Sequence, residues 1–230
     1  MKKLLLTSSL AVALTTGLFA NNIVPSASIG GAATGSNLFN FDALSLGSGS
    51  QIAWGTGGSS IAVHITGPDS GVVNGAVTNT YAAPYLSGGN GLGFGSPNQP
   101  NGANTTNYLS TGTGSITLDF GTSQSYLGLL WGSVDDYNTI EFFNGLNSVG
   151  SFTGVDVLAL PNGNRGINGS VYVNFNDLDG AFTSVVLTSS TNAFEIDNVA
   201  INSVGVPDSG ATVTLLGLAL VALAAVRRKR

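Results

Sequence analysis

The sequence predicts an all-β protein. The expected fold is an antiparallel β-sandwich, jelly-roll-like, with an N-terminal signal helix and a C-terminal transmembrane helix. Three observations carry this. Between Asn21 and Gly205, apolar residues recur at every second position in short runs, and no stretch of useful length repeats at the helical period. Clusters of Gly, Asn, Asp and Ser, the residues that turns require, separate those runs. At each end of the chain lies an apolar segment with cations on one flank.

The front segment, residues 1–20, reads MKKLLLTSSLAVALTTGLFA. Two lysines lead, an apolar stretch follows, and Ala20 supplies the small residue that cleavage needs. This is the layout of a secretory signal peptide, which implies passage through Sec machinery and cutting by a signal peptidase. The chain has no Cys, so lipid attachment at a Cys is excluded and no disulfide braces the exported product.

The body, residues 21–205, has the length of one domain with a sizeable core. Leu38 to Leu46 alternates loosely. Ser60 to Thr66 is cleaner, with Ile61, Val63 and Ile65 on one face. Gly71 to Thr78 reads as a further short strand. Ser87 to Thr113, rich in Gly, Asn, Pro and Thr, reads as a long surface loop. Ser115 to Phe120 turns Ile116, Leu118 and Phe120 inward. Tyr126 to Val134 is apolar on both faces, as a central strand is. Asn138 to Phe143 and Val149 to Thr153 flank a hairpin turn at Asn144-Gly145. Gly169 to Phe175, Phe182 to Thr188 and Phe194 to Asn202 complete the set. In the last, apolar parity switches at Asp197-Asn198, the mark of a β-bulge.

The tail, residues 206–230, has three parts. Val206, Pro207, Asp208, Ser209 and Gly210 form an extended, accessible stretch that Pro207 keeps out of helix and ladder. Residues 211–226 carry no charge, proline or amide. As a helix they span about 24 Å, close to a bilayer core once flanking arginines snorkel. Arg227, Arg228, Lys229 and Arg230 stop the segment and fix that side as cytoplasmic. A buried helix of a globular domain would show a polar face, and this one has only Thr212 and Thr214.

Charge excludes several functions. Six of the seven Lys and Arg lie in the two end segments, so Arg165 is the body's only one. Eleven of the twelve acids lie in the body, Asp208 being the exception, for a net charge of −10. Nucleic acid is excluded as a partner, because nothing can neutralise phosphates. With a single His and no Cys, thiol catalysis and His-rich metal sites are excluded too. His64 alternates within a strand, and no G-x-S-x-G elbow precedes a helix. A carboxylate pair for glycoside hydrolysis is a matter of spacing in space, which the sequence does not reveal.

Two groups of residues are candidates for binding. Asp135, Asp136, Glu141 and Asp197, with Glu195 and Asn198 nearby, offer oxygen ligands of the kind Ca²⁺ takes. No EF-hand spacing is present, and the same residues also serve to cap strand ends and satisfy the bulge. A structural Ca²⁺ is therefore the one cofactor considered. Tyr81 and Tyr85, beside Pro84 and the long loop, are placed to stack on sugar rings. Trp54, Tyr137 and Tyr172 are further aromatics of this kind, while Trp131 sits in an apolar run and reads as core.

The motif at 206–210, the short apolar helix and the basic end together resemble the PEP-CTERM protein-sorting signal, here in a VPDSG form. The resemblance implies a transient partner, an exosortase. This membrane transpeptidase reads the motif, removes the helix and passes the protein to the surface or extracellular polymer. Localisation would then be an inner-membrane intermediate facing the periplasm, followed by the cell surface or extracellular space. The stretches SITLDFG (115–121), YLGLLWGSVDDYNTIEFFNG (126–145), SFTGVDV (151–157) and FEIDNVAI (194–201) are similar to exosortase-dependent surface proteins with β-sandwich ectodomains. The expectation is a non-enzymatic surface or matrix protein. The alternatives are a displayed module that binds extracellular polysaccharide and, behind it, a small hydrolase.

Overall fold

The computed structural model describes residues 27–29, 32–47, 49–54, 60–87, 101–176 and 182–203. Residues 1–20 and 206–230, with the signal, motif, helix and basic stop assigned to them, lie outside the described residues. The described elements are β1 (Ala27–Ile29), β2 (Asn37–Phe39), β3 (Ser50–Trp54), β4 (Ser60–Thr66), β5 (Gly71–Val73), β6 (Tyr85–Leu86), β7 (Gly102–Ala103), β8 (Tyr108–Thr111), β9 (Gly114–Gly132), β10 (Asn138–Asn144), β11 (Asn147–Thr153), the one-turn helix α1 (Gly154–Val157), β12 (Val171–Asn176), β13 (Phe182–Ser189) and β14 (Phe194–Ser203). All strand pairs are antiparallel.

The chain is a β-sandwich whose two sheets share one strand. The first half of β9 pairs with β4 and β13, building the order β3-β4-β9-β13-β10-β11. Its second half pairs with β12 and β14, and β1, β2, β8 and β5 extend that second sheet. The crossing comes where β13 pairs Ser184 with Asp119 and Phe182 with Gln124, leaving residues 120–123 out of register. Gly121 sits there at φ +64°, a conformation that a residue with a Cβ adopts at a cost. The sequence shows two strands here, and the structure joins them into one bent strand.

Period-two alternation then fills the space between the sheets. Ile61, Val63, Ile116, Leu118, Leu129, Val173, Val185 and Ile196 are fully buried in one core. Trp131 stacks on Phe194 with ring centroids 4.6 Å apart. Phe142 meets Phe152, Phe175 and Phe182 at 5.7, 5.3 and 5.1 Å, in tilted or edge-on pairs that suit aromatic quadrupoles. Full burial of each such ring contributes about 1.5–3 kcal/mol. On the opposite face the first sheet is open to water. There Thr66, Ser115, Thr188, Thr139 and Thr153 lie side by side across five strands.

The bulge expected at Asp197-Asn198 is present. Asp197 pairs with Leu130 and Ala200 with Gly128, so β14 carries one extra residue. Asn198 occupies it at φ +52°. The extra residue reverses the parity, so Val199 and Ile201 enter the same core as Phe194 and Ile196. Glu195 and Asp197 lie on the other face of this sheet, yet both are buried. A second, smaller core of Leu86, Tyr126, Leu130, Tyr172 and Ala200 covers that face. Residues 82–86 form part of its lid, and a Cβ at Gly132 would lie 2.8 Å from Pro84.

Four strand expectations need correction. Within the loop expected from Ser87 to Thr113, Gly102–Ala103 is a short strand and Tyr108–Thr111 a buried one between β5 and β14. The strand expected from Gly71 to Thr78 ends at Val73. There Asn74 turns its amide to the Thr105 carbonyl at 3.0 Å. The strand expected from Leu38 to Leu46 ends at Phe39. Beyond it the Leu44 amide folds back on the Phe41 carbonyl. The hairpin turn is centred one residue later than expected, on Gly145-Leu146, since Asn144 still pairs with Asn147.

Candidate functional site

One end of the sandwich holds a cavity. Here β9 and β13 finish and β10 and β14 begin, so segments far apart in sequence converge. Its volume is about 670 Å³, and its wall includes Tyr81, Asp135, Tyr137, Arg165, Asn192 and Glu195. Three wall residues, Asp69, Asn79 and Ser133, have φ of 54°, 61° and 41°. Such backbone is uncommon away from glycine and concentrates where surrounding structure fixes a site.

Asp135 is held in the wall through one of its two carboxylate oxygens. Its Oδ2 accepts the Tyr137 hydroxyl at 2.7 Å, and that hydroxyl also lies 2.9 Å from the Asn192 carbonyl. Asn192 is anchored in turn, donating its side-chain amide to the Asn79 carbonyl at 3.1 Å. Gly163 backs the carboxylate closely, for a Cβ there would lie 2.7 Å from Oδ1. Oδ1 accepts no hydrogen bond from any described residue. Burial pushes the Asp135 carboxyl upward, and the Tyr137 bond and Arg165 pull it back part of the way. Burial also raises Tyr137, with the neighbouring Asp135 adding to it, so the phenol stays protonated.

Glu195 lies deeper and is 1% exposed. Its Oε1 accepts the Ala82 amide at 2.7 Å, and its Oε2 accepts the Ser133 hydroxyl at 2.5 Å. Burial pushes it up to about 7, against those two hydrogen bonds. Asp197 is held in the same manner beneath residues 101–106. It accepts the Asn104 amide at 2.7 Å and the Asn198 backbone at 2.7 Å, and burial pushes it up to about 7. Both carboxylates tie covering segments to the sheet.

The sequence-predicted candidates divide accordingly. The cavity gathers Tyr81, Asp135, Tyr137 and Glu195. Asp136 is exposed to solvent. Glu141 is on the first sheet's open face, accepting the Ser148 hydroxyl at 2.6 Å. Asp197 is enclosed with Asn104 and Asn198. The four acids considered for Ca²⁺ thus stand in different surroundings. Among the described residues, no three His, Cys, Asp or Glu side chains are grouped to hold a metal. Tyr85 is half-buried, with its backbone amide on the Ser170 hydroxyl at 2.8 Å. Trp131 and Tyr172 are fully buried, the first in the main core as read. His64 is exposed beside Ser50 at 2.8 Å.

Sequence reasoning missed Arg165, Asn79, Asn192 and Gly163 as wall residues. Arg165 had one signal in the sequence, as the body's only cation. The others had none.

Comparison with known proteins settles the tail. Residues 205–230 match the family described as the VPDSG-CTERM motif. The tail is a PEP-CTERM-type exosortase sorting signal. Such a signal implies recognition by an exosortase, export and the cell surface. No curated protein matches the chain. Among solved structures, the chain is similar to a carbohydrate binding module (CBM6cm-2) from Cellvibrio mixtus lichenase 5A, in complex with cellotriose. The two share 12% identity, over 73% of this chain and 97% of that one, at a TM-score of 0.26. At that score the likeness bears on neither ligand nor site.

Proposed function

We propose that this protein is a non-enzymatic component of the cell surface or extracellular matrix. It is organised as a signal peptide (1–20), a β-sandwich ectodomain (21–205) and a sorting signal (206–230). The observation that carries the reading is the match of residues 205–230 to the sorting motif. Residues 206–210 are the recognition stretch, 211–226 hold the chain in the membrane until processing, and 227–230 stop transfer. The body suits life outside the cell: it is acidic, free of Cys and packed around a large main core with a second, smaller one. Deleting the host's exosortase tests this. The unprocessed chain should then accumulate in the membrane fraction, and unchanged surface display without the enzyme would refute it.

A second reading, a surface-displayed carbohydrate-binding module, is favoured by one observation. Tyr81, one of the two tyrosines singled out for stacking, forms part of the cavity wall among amides, hydroxyls and carboxylates. Tyr85 is outside that wall.

A further inference from the structure

We propose that the cavity at the β9–β14 end of the sandwich binds an uncharged, polyhydroxylated ligand, with the chemistry of a saccharide of a few units. This rests on the second reading above and adds the place, the contacts and the ligand's charge class.

Size comes first. About 670 Å³ falls within the range of small-molecule sites, roughly 300–1,000 Å³. The wall then states what it asks of a ligand. Asp135 is only 8% exposed, and its Oδ2 is taken by Tyr137. Its Oδ1 has no donor among the described residues. That oxygen is open to the cavity, where a ligand hydroxyl can donate to it. Tyr137, Asn192 and the close approach of Gly163 hold the carboxylate where it is. Arg165 is exposed on the same wall and brings donors only. A ligand that meets both must donate at one point and accept at another, as neighbouring sugar hydroxyls do. Tyr81 adds an aromatic ring, braced edge-on by Tyr108 at 6.3 Å, against which the C–H face of a sugar can lie.

Charge narrows the class further. Asp69, Asp135 and Glu195 share the wall with one cation, so an anionic ligand meets a surplus of carboxylates. Glu195, however, spends both oxygens on Ala82 and Ser133, and Asp135 spends one on Tyr137. The exposed charges of the wall are then Asp69 and Arg165, one of each sign, which a ligand without net charge matches.

The test titrates the full chain, ¹⁵N-labelled and kept in a sugar-free detergent, with cellotriose, maltotriose and laminaritriose. Trigalacturonate and a glucosamine trimer serve as acidic and basic controls. At least one neutral trisaccharide should saturate with a Kd tighter than about 1 mM. It should shift the amide resonances of Tyr81, Tyr137 and Asn192, while both controls bind at least tenfold more weakly. Tyr81→Ala should weaken binding about tenfold. Arg165→Gln changes an exposed side chain that the fold does not use, and should weaken binding severalfold with the remaining spectrum unchanged. The proposal is overturned if no neutral trisaccharide saturates, if a charged control binds more tightly, or if both variants bind as the parent does. Any of these results leaves the sorting reading intact, since that is read from the processed chain itself.

Discussion

Glu195 makes the buried electrostatics testable. It is enclosed on the outer face of β14 with no cation paired to it among the described residues, and burial pushes its carboxyl up to about 7 from an ordinary value of 4.5. The folded state therefore holds this proton more tightly than the unfolded chain does. Its stability contribution is complete below pH 4.5 and is lost as pH rises toward 7, above which the folded carboxylate bears the full penalty. A difference of about 2.5 pH units corresponds to about 3 kcal/mol at 1.36 kcal/mol per unit. Glu195→Gln removes the titration and keeps the geometry. The amide oxygen still accepts the Ala82 N–H, and the NH₂ faces the Ser133 hydroxyl, which can accept. Urea unfolding of parent and variant from pH 4 to 9 isolates the effect, because the surface acids cancel in the difference. The variant's advantage should grow from near zero at pH 4.5 to about 3 kcal/mol above pH 7.5. A difference that stays constant with pH, or a parent that is the more stable at pH 8, would refute the assignment of burial as the cause.

Other substitutions test packing, the bulge and the site. Phe142→Ala empties the centre of the four-ring cluster and should cost about 3–5 kcal/mol in urea unfolding. At Asn198, held at φ +52°, a change to Gly should be tolerated while a change to Val costs about 1–3 kcal/mol. Gly163→Ala forces a methyl against Asp135 at φ +63°; it should lower the thermal midpoint and shift the Tyr137 ring resonances. Added Ca²⁺ should leave the thermal midpoint unchanged, because Asp135, Asp136, Glu141 and Asp197 do not converge; a rise of several degrees would contradict that geometry.

The sequence made the fold legible where one face of a strand meets the core and the other meets water. β4 is the clearest case, since Ile61, Val63 and Ile65 alternate with His64 and Thr66, and its bounds match the expectation. β8 had no such signature. Tyr108, Leu109, Ser110 and Thr111 are all buried, because both faces are covered by parts of the chain that no local pattern reports. Glu195 misled for the same reason. Its parity places it opposite the main core, which reads as solvent until residues 82–86 are seen to cover that face. The Asp197-Asn198 bulge was legible because the break in parity is itself a local signal. The cavity was not, since its wall draws on residues from Asp69 to Glu195, joined only by the ends of β9, β10, β13 and β14.

The central claim concerns the tail, and one measurement addresses it directly: intact and peptide mass spectrometry of the mature protein recovered from its native host's surface fraction. Processing through the sorting signal predicts a chain that starts after residue 20 and lacks the apolar helix and basic end, with no peptide from 211–230 in that fraction. A surface form that still ends at Arg230 would contradict it and leave the tail as a permanent membrane anchor.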